Sequence, residues 1–128
     1  MAEKHNPSVS PTILSITTGI DLKSVATTNL YTVPTGRRAV VTEVVFRTTV
    51  ATSFTVTCTA GVGVAANEED IMASTVLTGL NVLNQLYRFS CEGAYVSVAA
   101  AGVIKLGVDV GATATTATGE VTLIGFLL

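Results

Sequence analysis

Tryptophan is absent from the 128 residues, histidine occurs once, cysteine twice and proline three times. Charged residues make up only 12 %. Each shortage excludes something. The one histidine is His5, so the rest of the chain has no imidazole to hold a metal or to activate Cys58 or Cys91. Seven Lys and Arg with a formal net charge of −2 leave nothing to neutralise a run of phosphates, which argues against a nucleic-acid partner. There is no run of about 18 apolar residues, so no membrane-spanning helix is predicted. Met1 to Pro7 lack a cationic segment leading into an apolar one, which predicts synthesis and folding in a cytosol. Two cysteines are too few for a disulfide framework. They are expected as buried, reduced thiols, with a late disulfide as the alternative.

The chain is nevertheless apolar: 48 % of residues are hydrophobic and the mean hydropathy is +0.59. It is also rich in β-branched side chains, with 21 Thr, 19 Val and 6 Ile. Their stiff χ1 suits a pleated sheet and works against helix. Residues 1–11, with Pro7 and Pro11, read as an extended arm, and residues 12–128 as one domain.

Short strands are predicted at Ile13–Thr17, ended by Gly19, and at Leu30–Val33, ended by Pro34-Thr35-Gly36. In the next strand Val40, Val44 and Phe46 mark a core face, with Glu43 and Arg47 opposite. Phe54, Val56 and Cys58 then alternate with Thr55, Thr57 and Thr59, and the two segments read as a hairpin across Val50-Ala51-Thr52. Gly61-Val62-Gly63 reads as a turn, and Asn67 to Ala73 as a helical turn or two capped by Asn67. Thr75–Leu80, Leu83–Phe89, Ala94–Val98 and Ile104–Val110 resume strand chemistry. Gly111 to Gly119 fits a flexible hairpin loop. The last strand is apolar on both faces: Val121, Leu123 and Leu127 on one, Ile124, Phe126 and Leu128 on the other. A strand with one wet face does not read this way, so one side is expected to be buried by identical copies. About eight strands with several long connections predict an all-β antiparallel sandwich of jelly-roll type. An immunoglobulin-like sandwich lacks its Trp and its cysteine spacing.

Residues 21–44, with Leu30-Tyr31-Thr32-Val33-Pro34-Thr35-Gly36-Arg37-Arg38 at their centre, resemble small structural proteins of tailed-phage virions. The ending Gly119 to Leu128 is similar to the last strand of trimeric tumour-necrosis-factor-like jelly rolls. The resemblance implies a head decoration (cement) protein, or a piece of head or tail fibre, assembled as a homotrimer in the virion. Its subunit interface would comprise Val121, Leu123, Ile124, Phe126, Leu127 and Leu128. Arm residues Lys4, His5, Asn6 and Pro7 would touch the major capsid protein or another virion component. The rival reading is a receptor- or carbohydrate-binding fibre or lectin-like module, its site carried by the loops at 61–72 and 111–119, with Tyr31, Tyr87 and Tyr95 as aromatic candidates.

No catalytic set, cofactor or metal is expected. Glu68-Glu69-Asp70 lacks calcium-loop spacing and reads as a solvated acidic turn. Arg37-Arg38 reads as a hairpin end or as a contact for an acidic partner. There is no Gly-x-Ser-x-Gly elbow, and Gly61-Val62-Gly63 does not extend to a dinucleotide fingerprint.

Overall fold

The computed structural model describes residues 11–64, 70–91 and 96–128. The arm residues Lys4 to Pro7, the predicted helix cap at Asn67, the acids Glu68 and Glu69, and Tyr95 lie outside them. Among the described residues there is no helix. The strands are β1 (Thr12–Asp21), β2 (Ala26–Thr32), β3 (Ala39–Thr52), β4 (Thr59–Gly63), β5 (Met72–Val76), β6 (Leu86–Ser90), β7 (Val96–Val98), β8 (Val103–Val110) and β9 (Thr116–Leu127).

They form two antiparallel sheets, ordered β1-β9-β3-β6 and β2-β8-β4-β5. Strand β7 continues the β6 edge, pairing with β3 through Ala39↔Val98 and Val41↔Val96. Counting β6 and β7 as one edge leaves eight positions in two four-stranded sheets. Nearly every connection crosses from one sheet to the other, with β4–β5 the hairpin within a sheet. This is the jelly-roll arrangement.

Period-two alternation sends one face of each sheet inward. Val44, Phe46, Ile104, Leu106, Val121 and Leu123 meet there, each at most 1 % exposed. Leu22, Val33, Leu77 and Leu80 close the ends of the core from the connecting loops.

Bulges explain where the sequence pattern misleads. In β3 the buried positions run Ala39 and Val41, then Val44, Phe46 and Thr48. The switch of phase occurs at Thr42, where the register with β9 slips between Val41 and Glu43. Val40 therefore lies on the outer face, not in the core. The bulge demands a glycine opposite: a Cβ on Gly125 would stand 2.0 Å from the Val40 carbonyl oxygen. Gly19, at φ +69°, does not end β1 but sits in a second bulge, where the register slips between Thr17 and Ile20.

Other expectations also change. Val50-Ala51-Thr52 is no hairpin turn, because β3 runs on through it against β9, while β4 pairs with β8 and β5 in the other sheet. Phe54 and Cys58 are buried as expected, but Val56 is 57 % exposed, held at the surface by bridging to Thr113. Gly61-Val62-Gly63 is strand β4 rather than a turn, and Met72 and Ala73 are strand rather than helix. Met72 fills the core opposite Val62, and that burial outweighs weak helical chemistry. Gly111 to Gly119 is no hairpin loop either, since its second half is the start of β9 and β8 belongs to the opposite sheet.

The Ser15 hydroxyl is buried with no hydrogen-bond partner. Gly125→Ala is expected to destabilise the fold by about 3 kcal/mol, since the clash is with backbone that cannot swing away. Ser15→Ala is expected to raise the melting temperature, by removing an unpaired buried hydroxyl that costs about 1 kcal/mol. Thermal unfolding followed by circular dichroism measures both; an unchanged Gly125→Ala would refute the bulge assignment.

Candidate assembly surfaces

Four surfaces remain once the core is filled: the outer faces of the two sheets and the two ends of the sandwich. That of the β2-β8-β4-β5 sheet is polar, with Asn29 opposite Lys105 and the Ser74 hydroxyl donating to Asp109.

The outer face of the β1-β9-β3-β6 sheet follows from the pairing. Cross-strand partners share a face, so Ile13↔Ile124 and Ile16↔Thr122 place both isoleucines outward beside β9. On the other side of β9, Val45 faces Thr122, Val40 faces Phe126 and Glu43 faces Ile124. Ile13 and Ile16 are 56 % and 54 % exposed, while Val40, Val45, Ile124 and Phe126 are half-buried. The charges on this face are already partnered. Arg88 donates to Glu43 Oε2 from Nε at 2.7 Å, with Nη2 at 2.6 Å. Arg47 holds Glu120 Oε1 at 2.6 Å from Nη2 and donates from Nη1 to Asn84 at 2.9 Å. The face is thus an apolar band across three strands, flanked by internally neutralised ion pairs.

The six interface residues predicted on the last strand separate accordingly. Val121 and Leu123 point into the subunit's own core at 1 % and 0 % exposure, where a second copy has no access, and Leu127 packs against that core. Ile124 and Phe126 are on the outer face, and Leu128 is exposed at the end of the strand. The sequence reading missed Ile13 and Ile16, because a strand's register against β9 cannot be seen before its partner is known.

One end of the sandwich gathers the loops 22–25, 53–58, 77–85 and 111–115, stitched together by backbone hydrogen bonds. Leu22 N donates to Ala117 O at 2.9 Å, Ala112 N to Leu22 O at 2.8 Å, Thr55 N to Thr113 O at 2.9 Å, and Thr115 N to Thr52 O at 2.9 Å. A Cβ on Gly111 would stand 1.8 Å from the Lys23 carbonyl oxygen, so the first and last loops touch. Lys23 Nζ donates to Thr115 O at 2.9 Å. Asp21 accepts from Lys23 N at 2.8 Å and from the Ser24 hydroxyl at 2.9 Å. Those two hydrogen bonds, with the nearby Lys23 charge, hold the Asp21 carboxyl below its ordinary value. The Thr48 hydroxyl donates to the Leu80 carbonyl, anchoring 77–85 from beneath. The expected flexible loop is therefore part of a hydrogen-bonded cap.

The opposite end holds a shallow, open cleft of about 350 Å³ lined by Gly36, Arg37, Arg38, Ala99, Ala100 and Leu128. Gly36, at φ +77°, makes the turn in which Arg37 N donates to Pro34 O at 3.2 Å. Arg38 then exchanges backbone hydrogen bonds with Leu128, at 3.0 and 2.8 Å. The cleft sets two cations beside Ala99, Ala100 and Leu128, and it is too open to bury a small organic ligand.

The remaining candidates do not converge. Tyr31 and Tyr87 sit on different sheets, both packed partly against the core, and the Tyr87 ring meets Phe46 edge-on at 6.3 Å. Asp70 accepts from Val64 N at 3.2 Å. Among the described residues no three of His, Cys, Asp and Glu come together.

Both cysteines are free and buried. Burial pushes the Cys58 thiol up to about 11, and Cys91 is raised by burial and by the Glu43 charge.

Neither a known protein-family profile nor a curated protein matches the chain. Among solved structures it is similar to a chain described as "Cyanophage Pam1 capsid asymmetric unit". The TM-score is 0.61 at 16 % identity, over 98 % of this chain and 91 % of that one. At that identity the likeness is one of fold: the two chains share the β-sandwich almost from end to end.

Because the folded thiol binds its proton more tightly than the unfolded one, Cys58 contributes stability that is full below pH 9 and is lost as pH rises toward about 11. Cys58→Ala is expected to lose less stability than the parent over that interval. Urea unfolding at a series of pH values measures the difference, and parallel curves would contradict a buried thiol.

Proposed function

We propose that the chain is a structural protein of a phage virion: a decoration protein that binds the head shell and stabilises it as a homotrimer. The observation that carries this reading is the fold likeness to a chain of a cyanophage capsid, which leaves little of either chain unmatched. The outer sheet face supports the self-association. Ile13 and Ile16, with the uncovered parts of Ile124 and Phe126, offer an apolar, charge-balanced band to neighbouring copies. Each half-exposed side chain removed from water contributes about 1 kcal/mol. Over three copies that is on the order of 10 kcal/mol, set against an association entropy of similar size.

The mechanism is mass action. A protein that binds the assembled shell and not its separated subunits shifts the equilibrium toward the shell. No residue of the chain is asked to do chemistry. The raised thiols fit that role, because a protonated, buried cysteine is a poor nucleophile.

Two measurements test the two parts separately. Co-sedimentation with undecorated head shells is expected to show saturable binding; none at micromolar protein would end the decoration reading. Light scattering of the free protein is expected to give three times 13.1 kDa. Ile16→Asp, at an exposed position, is expected to shift that mass toward the monomer and to lower the melting temperature by the stability that association adds, with the β-sheet circular dichroism spectrum unchanged. A monomeric parent would end the trimer.

A further inference from the structure

The large apolar side chains left exposed are distributed unevenly along the strands. Val25, Val50, Val56, Val82, Leu83 and Val110 all stand at the end formed by loops 22–25, 53–58, 77–85 and 111–115, each at least 43 % exposed. At the opposite end the exposed ones among the described residues are Ile13, Val64 and Leu128. Charge follows the reverse pattern. Residues 50–58, 76–85 and 110–119 contain no Asp, Glu, Lys or Arg; the charges bordering them are Asp109, which accepts from Ser74, and Arg47, which reaches Asn84, whereas Arg37, Arg38 and Asp70 lie at the other end. The two charges of the first loop, Lys23 and Asp21, are exposed but held within the end, Lys23 by the Thr115 carbonyl and Asp21 by Lys23 N and Ser24.

We propose that this charge-poor, hydrogen-bonded end is the surface by which the protein docks onto the shell, and that its partner is an apolar, uncharged protein surface. The inference rests on the decoration reading and adds to it which end faces the shell. A charged partner surface would lose its hydration against these loops and gain no counter-charge. An apolar one loses nothing and covers six side chains. The loops are already fixed by mutual hydrogen bonds, so little ordering entropy is lost on docking.

Symmetry adds a second reason. Copies joined through the β1-β9-β3 face around an axis along the strands would present this same end side by side. A single weak site then becomes a multivalent one. The residues that precede Thr12 join at the opposite end. The ten residues of β1, about 33 Å of strand, separate that point from the docking end.

The test uses the full chain, undecorated shells and three single variants at positions more than half exposed, Val25→Asp, Val56→Asp and Val82→Asp. Each is expected to weaken co-sedimentation by at least about 30-fold, with oligomeric mass and melting temperature unchanged. Arg37→Glu, at the far end, is expected to bind as the parent does. Raising salt from about 50 to about 500 mM is expected to change parental binding by less than about threefold, since no charges face each other. Where an aspartate variant fails to fold, Val56→Ser and Val82→Ser replace it, with a smaller loss expected. Variants that bind like the parent, a steep loss with salt, or a loss confined to Arg37→Glu would each overturn the proposal. Variants that bind shells normally but fall apart into monomers would assign the end to neighbouring copies instead. A parent that binds no shell removes the decoration reading itself, and the docking end with it.

Discussion

The structure depends on the pairing of β9 between β1 and β3. That strand has neighbours along most of its length on both sides, from Thr12↔Gly125 to Asp21↔Thr118 on one and from Ala39↔Leu127 to Thr52↔Thr116 on the other. The last stretch of the chain thus closes the centre of a sheet whose other members are distant in sequence. Its inward residues Ala117, Val121 and Leu123 become the middle of the core. Its outward residues Thr122, Ile124 and Phe126 become the middle of a surface. The glycine at 125 is what lets β3 carry its bulge without losing that pairing. Long-range pairing of this kind must be closed against loop entropy, which makes it the late and cooperative step in forming such a sheet.

How much of this is legible in the sequence depends on which interaction decides each element. Where alternation against one core decides, as in Ile104, Leu106 and Val108 or Phe54 and Cys58, the residues announce their faces, although Val110, next in the same alternation, is 56 % exposed where β8 leaves the core. The all-β class follows from the excess of Val, Ile and Thr for the same reason. Where a partner strand decides, local pattern fails. The Val40 face is set by a bulge whose cause lies at Gly125, many residues away. Gly61 and Gly63 look like turn residues, but β8 on one side and β5 on the other hold them in a ladder. The Met72 segment carries acids just before it and reads as a helix start. Yet one turn of helix buries less than a methionine set opposite Val62 in a closed core.

The same division applies to the assembly surfaces. The two-faced apolarity of Val121 to Leu128 is visible in the sequence, and the structure accounts for one face by burying Val121 and Leu123 in the subunit's own core. The apolarity alone does not say which residues belong to which face of which body. Only the register with β1 shows that Ile13 and Ile16 extend the outward band. The clustering at the loop end was invisible for a simpler reason. Val25, Val56, Val82 and Val110 are far apart in the chain and meet only because the strands carrying those loops end at one place.

The edges of the sheets give a reason why faces and ends, not edges, are where partners belong. An open edge offers unpaired backbone groups to any other strand, and sandwiches must blunt it. Here each edge is spoiled differently. Strand β1 is interrupted by two register slips, one at a glycine of positive φ. The β6–β7 edge is made of two short pieces among the described residues, five residues of β6 and three of β7. On the other sheet β5 is five residues long, and β2 slips between Asn29 and Tyr31. None offers the long, flat ladder that strand addition needs. With the edges closed to growth, the apolar surface on the β1-β9-β3 face and at the loop end is what remains to lower its energy by association. Both are contacts that side chains specify. That division of the surface follows from the strand order itself.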